Sequence, residues 1–291
     1  MRNKRLLLLA ALATTAALGV GAALVGAAVV LGGLYDVAAT TQHFQPVYTV
    51  LEASMRHSVR LRARDIVEPP LADAAMALRG AGCFRDKCVQ CHGAPGVAPD
   101  GPGKSMEPLP GPLVDARRHW RPRELYWVTR HGIRMSGMPA WEFRLADDEL
   151  WEVVAFLQVL PELNAAQYAD WMRRAPAAPA CGPGSARPPA PPVSIATFAP
   201  DVERGRRALH QHGCNACHII PGVVGSRVYV GPPLEGIGSR QFIAGTLPNT
   251  PEDMVRWITR TQQVKPGTAM PQLGVPERDA RDIAGYLATL K

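Results

Sequence analysis

The chain has 291 residues, 47% of them hydrophobic, which excludes a disordered tail protein and suits about two domains of ordinary size. Only 6% of residues are aromatic while 28 are proline, so small domains joined by extended segments fit better than one large β core. The formal charge of +7 is spread as 7 basic and 4 acidic residues up to Pro70, 13 and 13 from Leu71 to Arg174, and 12 and 8 from Ala175 onward. None of these stretches holds the dense basic stripe that nucleic-acid binding requires, and no period of about 20 to 50 residues recurs to suggest a solenoid.

Residues 1–34 read as a signal-anchor. Arg2, Lys4 and Arg5 precede an uncharged run from Leu6 to Leu34, which as a helix is about 43 Å long and exceeds a hydrocarbon core of about 30 Å. A secretory signal has an apolar region of only about 7 to 15 residues, so a retained single span is the expectation, although Val37-Ala38-Ala39 offers a cleavage site. By the positive-inside rule the basic end stays cytoplasmic. In a bacterium everything after Leu34 would then lie in the periplasm, anchored to the inner membrane. Gly19 with Ala23 and Ala22 with Gly26 are spaced for close helix contact, a spacing that composition alone also produces.

Residues 35–70 form a connector in which Val47 to Ile66 reads as a basic amphipathic helix carrying Arg56, Arg60, Arg62 and Arg64. It is either a solvated connector or a surface that rests on a partner or on lipid head groups. Pro69-Pro70 ends it.

Two compact helical units follow, residues 71–172 and 198–291, separated by a Pro/Ala-rich linker over 173–197. Proline-rich chain is semi-rigid, so the linker would hold the units apart yet within reach. Each unit opens with a helix leading into a CxxCH string, passes through a Gly/Pro-rich region, and closes with a helix after a Met-Pro pair. On the closing helices Leu150, Val153, Val154, Leu157 and Leu160 match Ala280, Ile283, Ala284, Leu287 and Leu290, and Phe156 matches Tyr286, all at one offset. Both sets follow the spacing of a single buried helical face. The pattern predicts an internal duplication.

Four of the six cysteines lie in Cys88-Val-Gln-Cys91-His92 and Cys214-Asn-Ala-Cys217-His218. Two thiols on one turn of chain can form thioethers to both vinyl groups of a haem, and the histidine that follows stands under the iron, so the strings read as c-type haem attachment. Zinc and a redox dithiol compete for such motifs, but neither unit adds Cys or His pairs at zinc spacing. The expectation is two covalently bound haems, on Cys88, Cys91 and His92, and on Cys214, Cys217 and His218. For the sixth ligand each unit offers a Met before Pro: Met138 and Met270. Proline disfavours helix for the preceding residue, which suits a ligand on an extended loop, and thioether sulfur raises the potential of the iron. Met135 competes with Met138, and Met106 is the weaker candidate.

His43, His57, His119, His131, His210 and His212 read as surface or helix-end residues, with His212 close enough to Cys214 to shade a haem edge. Cys83 and Cys181 remain; they are a disulfide, which an oxidising compartment permits, or two free thiols.

On these residues the chain resembles class I cytochromes c in two tandem domains. The part up to Trp171 looks like membrane-anchored bacterial cytochromes with the loop His131-Gly-Ile-Arg-Met-Ser-Gly-Met-Pro-Ala-Trp141. The part from Phe198 is similar to the cytochrome domain fused to the copper subunit of some haem-copper oxidases, through Cys214 to His218, Gly231-Pro232-Pro233-Leu234, Gly238-Ser239-Arg240, Leu247-Pro248-Asn249-Thr250, Trp257-Ile258 and Lys265 to Pro271. It departs from that subunit in having no copper-binding cluster of Cys, Cys, His and Met. The resemblance implies a mainly α fold, a transmembrane helix plus two tandem cytochrome c domains, with axial pairs His92/Met138 and His218/Met270. It also implies that Gly80 with Phe84, and Gly205 with Leu209, sit where the first helix crosses the last, and that Gly231-Pro232 presents a carbonyl to His218. The function implied is electron transfer without catalysis, from a quinol-oxidising complex or another donor toward a terminal oxidase. The alternatives are the haem subunit of a periplasmic dehydrogenase and a dihaem enzyme acting on peroxide or sulfur compounds, which would need one iron with an exchangeable sixth position.

Overall fold

The structure, a computed structural model, describes residues 2–185, 199–225 and 230–291. It is mainly helical. Helix α1 (Arg2–Leu31) is long and apolar enough to cross a membrane, and none of its apolar window is buried among the described residues. It stops before Gly32-Gly33, short of Leu34.

Helix α2 (Gln45–Ala63) starts two residues before the expected Val47 and ends three before Ile66. It is not a free connector. Val59 and Ala63 are buried, because this face lies on α7 (Pro122–His131), and the Arg56 guanidinium sits 5.7 Å from the Trp120 ring. The arginines beyond it, Arg60, Arg62 and Arg64, stay exposed.

The first unit is built on α3 (Ala74–Lys87), the short α4 (Val89–His92), α5 (Gly101–Lys104) and α6 (Ala116–His119), then α7, α8 (Asp147–Val159) and α9 (Ala165–Arg174). Asp73 caps α3 by accepting the Ala75 N–H at 2.8 Å, and Asn164 caps α9 by accepting from Gln167 at 2.9 Å; each satisfies an amide that the helix leaves unpaired. In the second unit α10 (Val202–Gln211), α11 (Pro251–Thr259), α12 (Thr261–Val264) and α13 (Glu277–Thr289) surround a two-stranded antiparallel ribbon, β1 (Phe242–Ile243) with β2 (Leu247–Pro248). Asp201 and Thr250 cap α10 and α11.

Buried side chains fall into two clusters. One is centred on α3 and α8, the other on α10 and α13. The closing helices α8 and α13 bury the faces that periodicity predicts: Leu150, Val153, Val154, Leu157 and Leu160 in one, Ala280, Ile283, Ala284 and Leu287 in the other, with Leu290 half-buried at the end. At both crossings the helix backbones touch. A Cβ on Gly80 would overlap the Glu152 carbonyl, and a Cβ on Gly205 would overlap the Asp282 carbonyl, so only glycine admits these approaches. Phe84 and Leu209 fill the same place one turn on.

The expected linker begins too early. Residues 175–185 fold back over α3 and α8: Arg85 donates to the Pro176 carbonyl, Ala180 N–H to Asp86 and Gly182 N–H to Glu149, each within 3.0 Å. Cys83 and Cys181 form a disulfide that closes 98 residues of chain. The first unit therefore extends past residue 172, and the rest of the predicted linker, 186–197, lies outside the described residues. The units also touch, through residues 142–144.

Candidate haem sites

Both CxxCH strings form one tight turn with the same hydrogen bonds. The Cys91 and His92 N–H groups return to the Cys88 carbonyl at 3.1 and 2.9 Å, and the Cys217 and His218 N–H groups to the Cys214 carbonyl at 3.2 and 2.9 Å. The turn keeps both cysteines and the histidine of each string within one short stretch of folded backbone. The entries differ. In the first unit α3 runs straight into Cys88, whereas in the second α10 ends at Gln211 and Gly213 turns the chain in the left-handed region (φ +72°) before Cys214.

Each histidine is held by a backbone carbonyl. His92 Nδ1 lies 2.7 Å from the Gly111 oxygen and His218 Nδ1 2.8 Å from the Pro232 oxygen. A carbonyl only accepts, so Nδ1 carries the proton and Nε2 presents its lone pair, the tautomer that an axial ligand needs. Burial lowers the His92 pKa against the pull of the Gly111 hydrogen bond, which keeps that ring neutral at pH 7. The second ring is boxed in as well, since a Cβ on Gly231 would overlap the His218 imidazole. The resemblance to cytochromes c implies a carbonyl from Gly231-Pro232, and the acceptor is that of Pro232. The sequence does not point to Gly111, which lies farther from its histidine.

The leading thiol of each string is shifted upward by burial. Burial, and next the nearby Cys91, push the Cys88 thiol up to about 12, and burial pushes Cys214 up to about 11; a reactive cysteine of a CxxC oxidoreductase is shifted the other way. Among the described residues no three His, Cys, Asp or Glu side chains converge to hold a metal ion. These residues fit a covalent haem: four cysteines outside any disulfide, and two tautomer-fixed imidazoles.

Of the candidate sixth ligands in the first unit, Met135 is 91% exposed at φ +61°, while Met138 is half-buried. Ser136 Oγ accepts the Met138 N–H, and the Met138 carbonyl accepts from Ile133, both at 3.2 Å. Met106 is half-buried against Gly137. In the second unit Met270 packs on the hydrophobic cluster, and its carbonyl accepts from Gln262 Nε2 at 2.7 Å.

Four of the other histidines have local partners, His43 with Tyr35, His119 with Asp115, His131 with the Trp127 ring and His210 with Asn215, and His57 is exposed on α2. His212 is held by a longer-range partner. Its Nε2 is 2.8 Å from Asp279, on the closing helix. Asp279 is part of a buried charge cluster that apolar periodicity does not reveal, in which Arg204 donates to Asp279 and Asp282 at 2.6 Å each. Burial would raise the Asp279 carboxyl, but His212 and Arg204 outweigh it and hold it below its ordinary value.

Residues 75–157 match the family profile described as cytochrome c oxidase, cbb3-type, subunit III. The match spans the helix crossing at Gly80, the first CxxCH turn and the Met138 loop. The match supports a cytochrome c domain within these residues. Such a domain implies covalently bound c-type haem and electron transfer in a respiratory setting rather than catalysis. Cytochrome c oxidase subunit 2 of Alkalihalophilus pseudofirmus is 34% identical over 91 residues, 31% of this chain and 26% of that protein, so the chain spans about a quarter of that relative. No solved structure matches. Helix α1 is consistent with a membrane anchor for the cytochrome c domain.

Proposed function

We propose that the protein is a membrane-tethered dihaem electron carrier, with two cytochrome c domains on the periplasmic side of a bacterial inner membrane. The observation that carries the reading is the repetition of one site. Two CxxCH turns with the same backbone hydrogen bonds each lead to a histidine whose Nδ1 is tied to a carbonyl. Cys88, Cys91, Cys214 and Cys217 hold the haems, and His92 with Met138 and His218 with Met270 are the axial pairs. A bound haem supplies a reversible one-electron couple, which sulfur ligation places at higher potential. The chain's own residues fix the imidazole tautomer, and the loops that carry Met138 and Met270 would supply the thioether ligands. Filled axial positions leave no place for a substrate, so the protein exchanges electrons with a quinol-oxidising complex or another donor and passes them toward a terminal oxidase.

The test is the haem count. Pyridine haemochrome assay should give two haems per chain in the wild type and one in each of the double variants Cys88→Ala/Cys91→Ala and Cys214→Ala/Cys217→Ala. Carbon monoxide should leave the reduced spectrum unchanged. One haem in the wild type, or a carbon monoxide shift at either site, would overturn the dihaem carrier.

A further inference from the structure

The segment that follows Met138 returns to α7, where the Trp141 and Glu142 N–H groups donate to the Thr129 and Arg130 carbonyls at 3.2 and 3.1 Å, and then reaches into the second unit. Phe143, five residues on, is 6% exposed, and it is buried in the cluster of the second unit. The Arg204 guanidinium stands 4.8 Å from its ring centroid, and the His212 ring meets it edge-on at 6.2 Å. On either side of Phe143, Glu142 lies 3.4 Å from Arg207, and Arg144 donates to the Gln211 carbonyl at 2.8 Å. All four partners belong to α10 or its C-terminal cap, the helix that leads into Cys214.

The corresponding loop of the second unit is held at home. Gln262 donates to the carbonyls of Thr268 and Met270 at 2.9 and 2.7 Å, and its Oε1 accepts the Gly267 N–H. Leu273, three residues after Met270, remains 42% exposed.

From this contrast we infer that Phe143 is a positioning residue for the first haem site: by docking on α10 it holds the Met138 loop in place, so that ligation in one unit depends on contact with the other. The inference rests on the reading of Met138 and Met270 as axial ligands. The loop from Arg134 to Gly137 is mostly exposed and contributes little packing of its own. Its C-terminal end is anchored on α7 by the Trp141 and Glu142 N–H groups and on α10 by the buried Phe143 ring, which loses its contact with water there.

The experiment uses the full chain with both haems, in a Met270→Leu background, where the sulfur-to-iron charge-transfer band of the ferric protein comes from the first site alone. Phe143→Ala should weaken that band or bleach it at lower denaturant, and Phe143→Leu should restore most of it. Arg207→Ala, a change in the second unit, should act in the same direction, while Arg206→Ala, whose side chain pairs with Glu203 on its own helix, should not. If Phe143→Ala does not fold, Arg207→Ala against Arg206→Ala decides. A band equally strong and equally resistant in Arg207→Ala and Phe143→Ala overturns the inference. No band at all in the Met270→Leu background, or one haem per chain in the wild type, overturns the ligand reading instead.

Discussion

At the crossing of α3 with α8, Arg79 reaches Glu152 at 2.5 Å with 46% of its side chain exposed; at the crossing of α10 with α13, Arg204 bridges Asp279 and Asp282 with 14% exposed. The backbone contact is the same in both, glycine against the carbonyl of the acidic residue, but the charge environment is not. The second crossing is covered by Phe143 from the first unit, and the first lies against residues 175–185 of its own unit, tied down by the Cys83–Cys181 disulfide. One plan for crossing two helices has thus been closed in two ways, by a covalent clasp in one unit and by contact with its neighbour in the other.

Removing the arginines should separate the two crossings most sharply. Arg204→Ala leaves two buried carboxylates without their shared cation and should cost about 3 to 5 kcal/mol, seen as a lowered denaturation midpoint of the second unit. Arg79→Ala, at a half-exposed pair, should cost clearly less. Equal losses would mean that the second cluster gains nothing from its burial.

The disulfide should act on the other side of the comparison. Cys181→Ser, which opens a loop of 98 residues, should destabilise the first unit by about 2 to 5 kcal/mol and leave the second unit's midpoint where it was. Haem absorbance at the two sites, followed separately in the single-haem variants, reads this out.

The glycines test what the crossings share. Gly80→Ala and Gly205→Ala each force a methyl group into a carbonyl of the facing helix and should cost about 1 to 3 kcal/mol apiece. A neutral result at one of them would show that its crossing can open where the other cannot.

The smallest effect concerns acid. Asp279 is held below its ordinary 3.8, so its contribution is present above the unfolded value and is lost as pH falls through the lower folded one. Asp279→Asn should therefore be less stable than wild type at pH 7, with the difference shrinking below about pH 4. Midpoints measured across that window check the sign.

Much of the fold was legible without coordinates, for particular reasons. The faces of α8 and α13 were readable because a helix buried on one side repeats its apolar residues every three or four positions. The CxxCH turns were readable because haem attachment needs its three groups within five residues, and local spacing survives in a linear string. Gly205 and the Pro232 carbonyl were reached only through the likeness to cytochromes c, since nothing in their local sequence says what they touch.

What the sequence by itself determined about this protein is the set of parts: an apolar segment long enough to span a membrane, two CxxCH strings, and two helices with a single buried face. Those are properties of neighbours in the chain. Tertiary structure alone decided the rest. Cys83 joined Cys181 across 98 residues, Gly111 became the acceptor for His92, α2 docked on α7, and Phe143 left its own unit for the other. Each of these depends on which surfaces meet, and a proline-rich stretch reads as linker whether it hangs free or, as over 175–185, folds back under a disulfide.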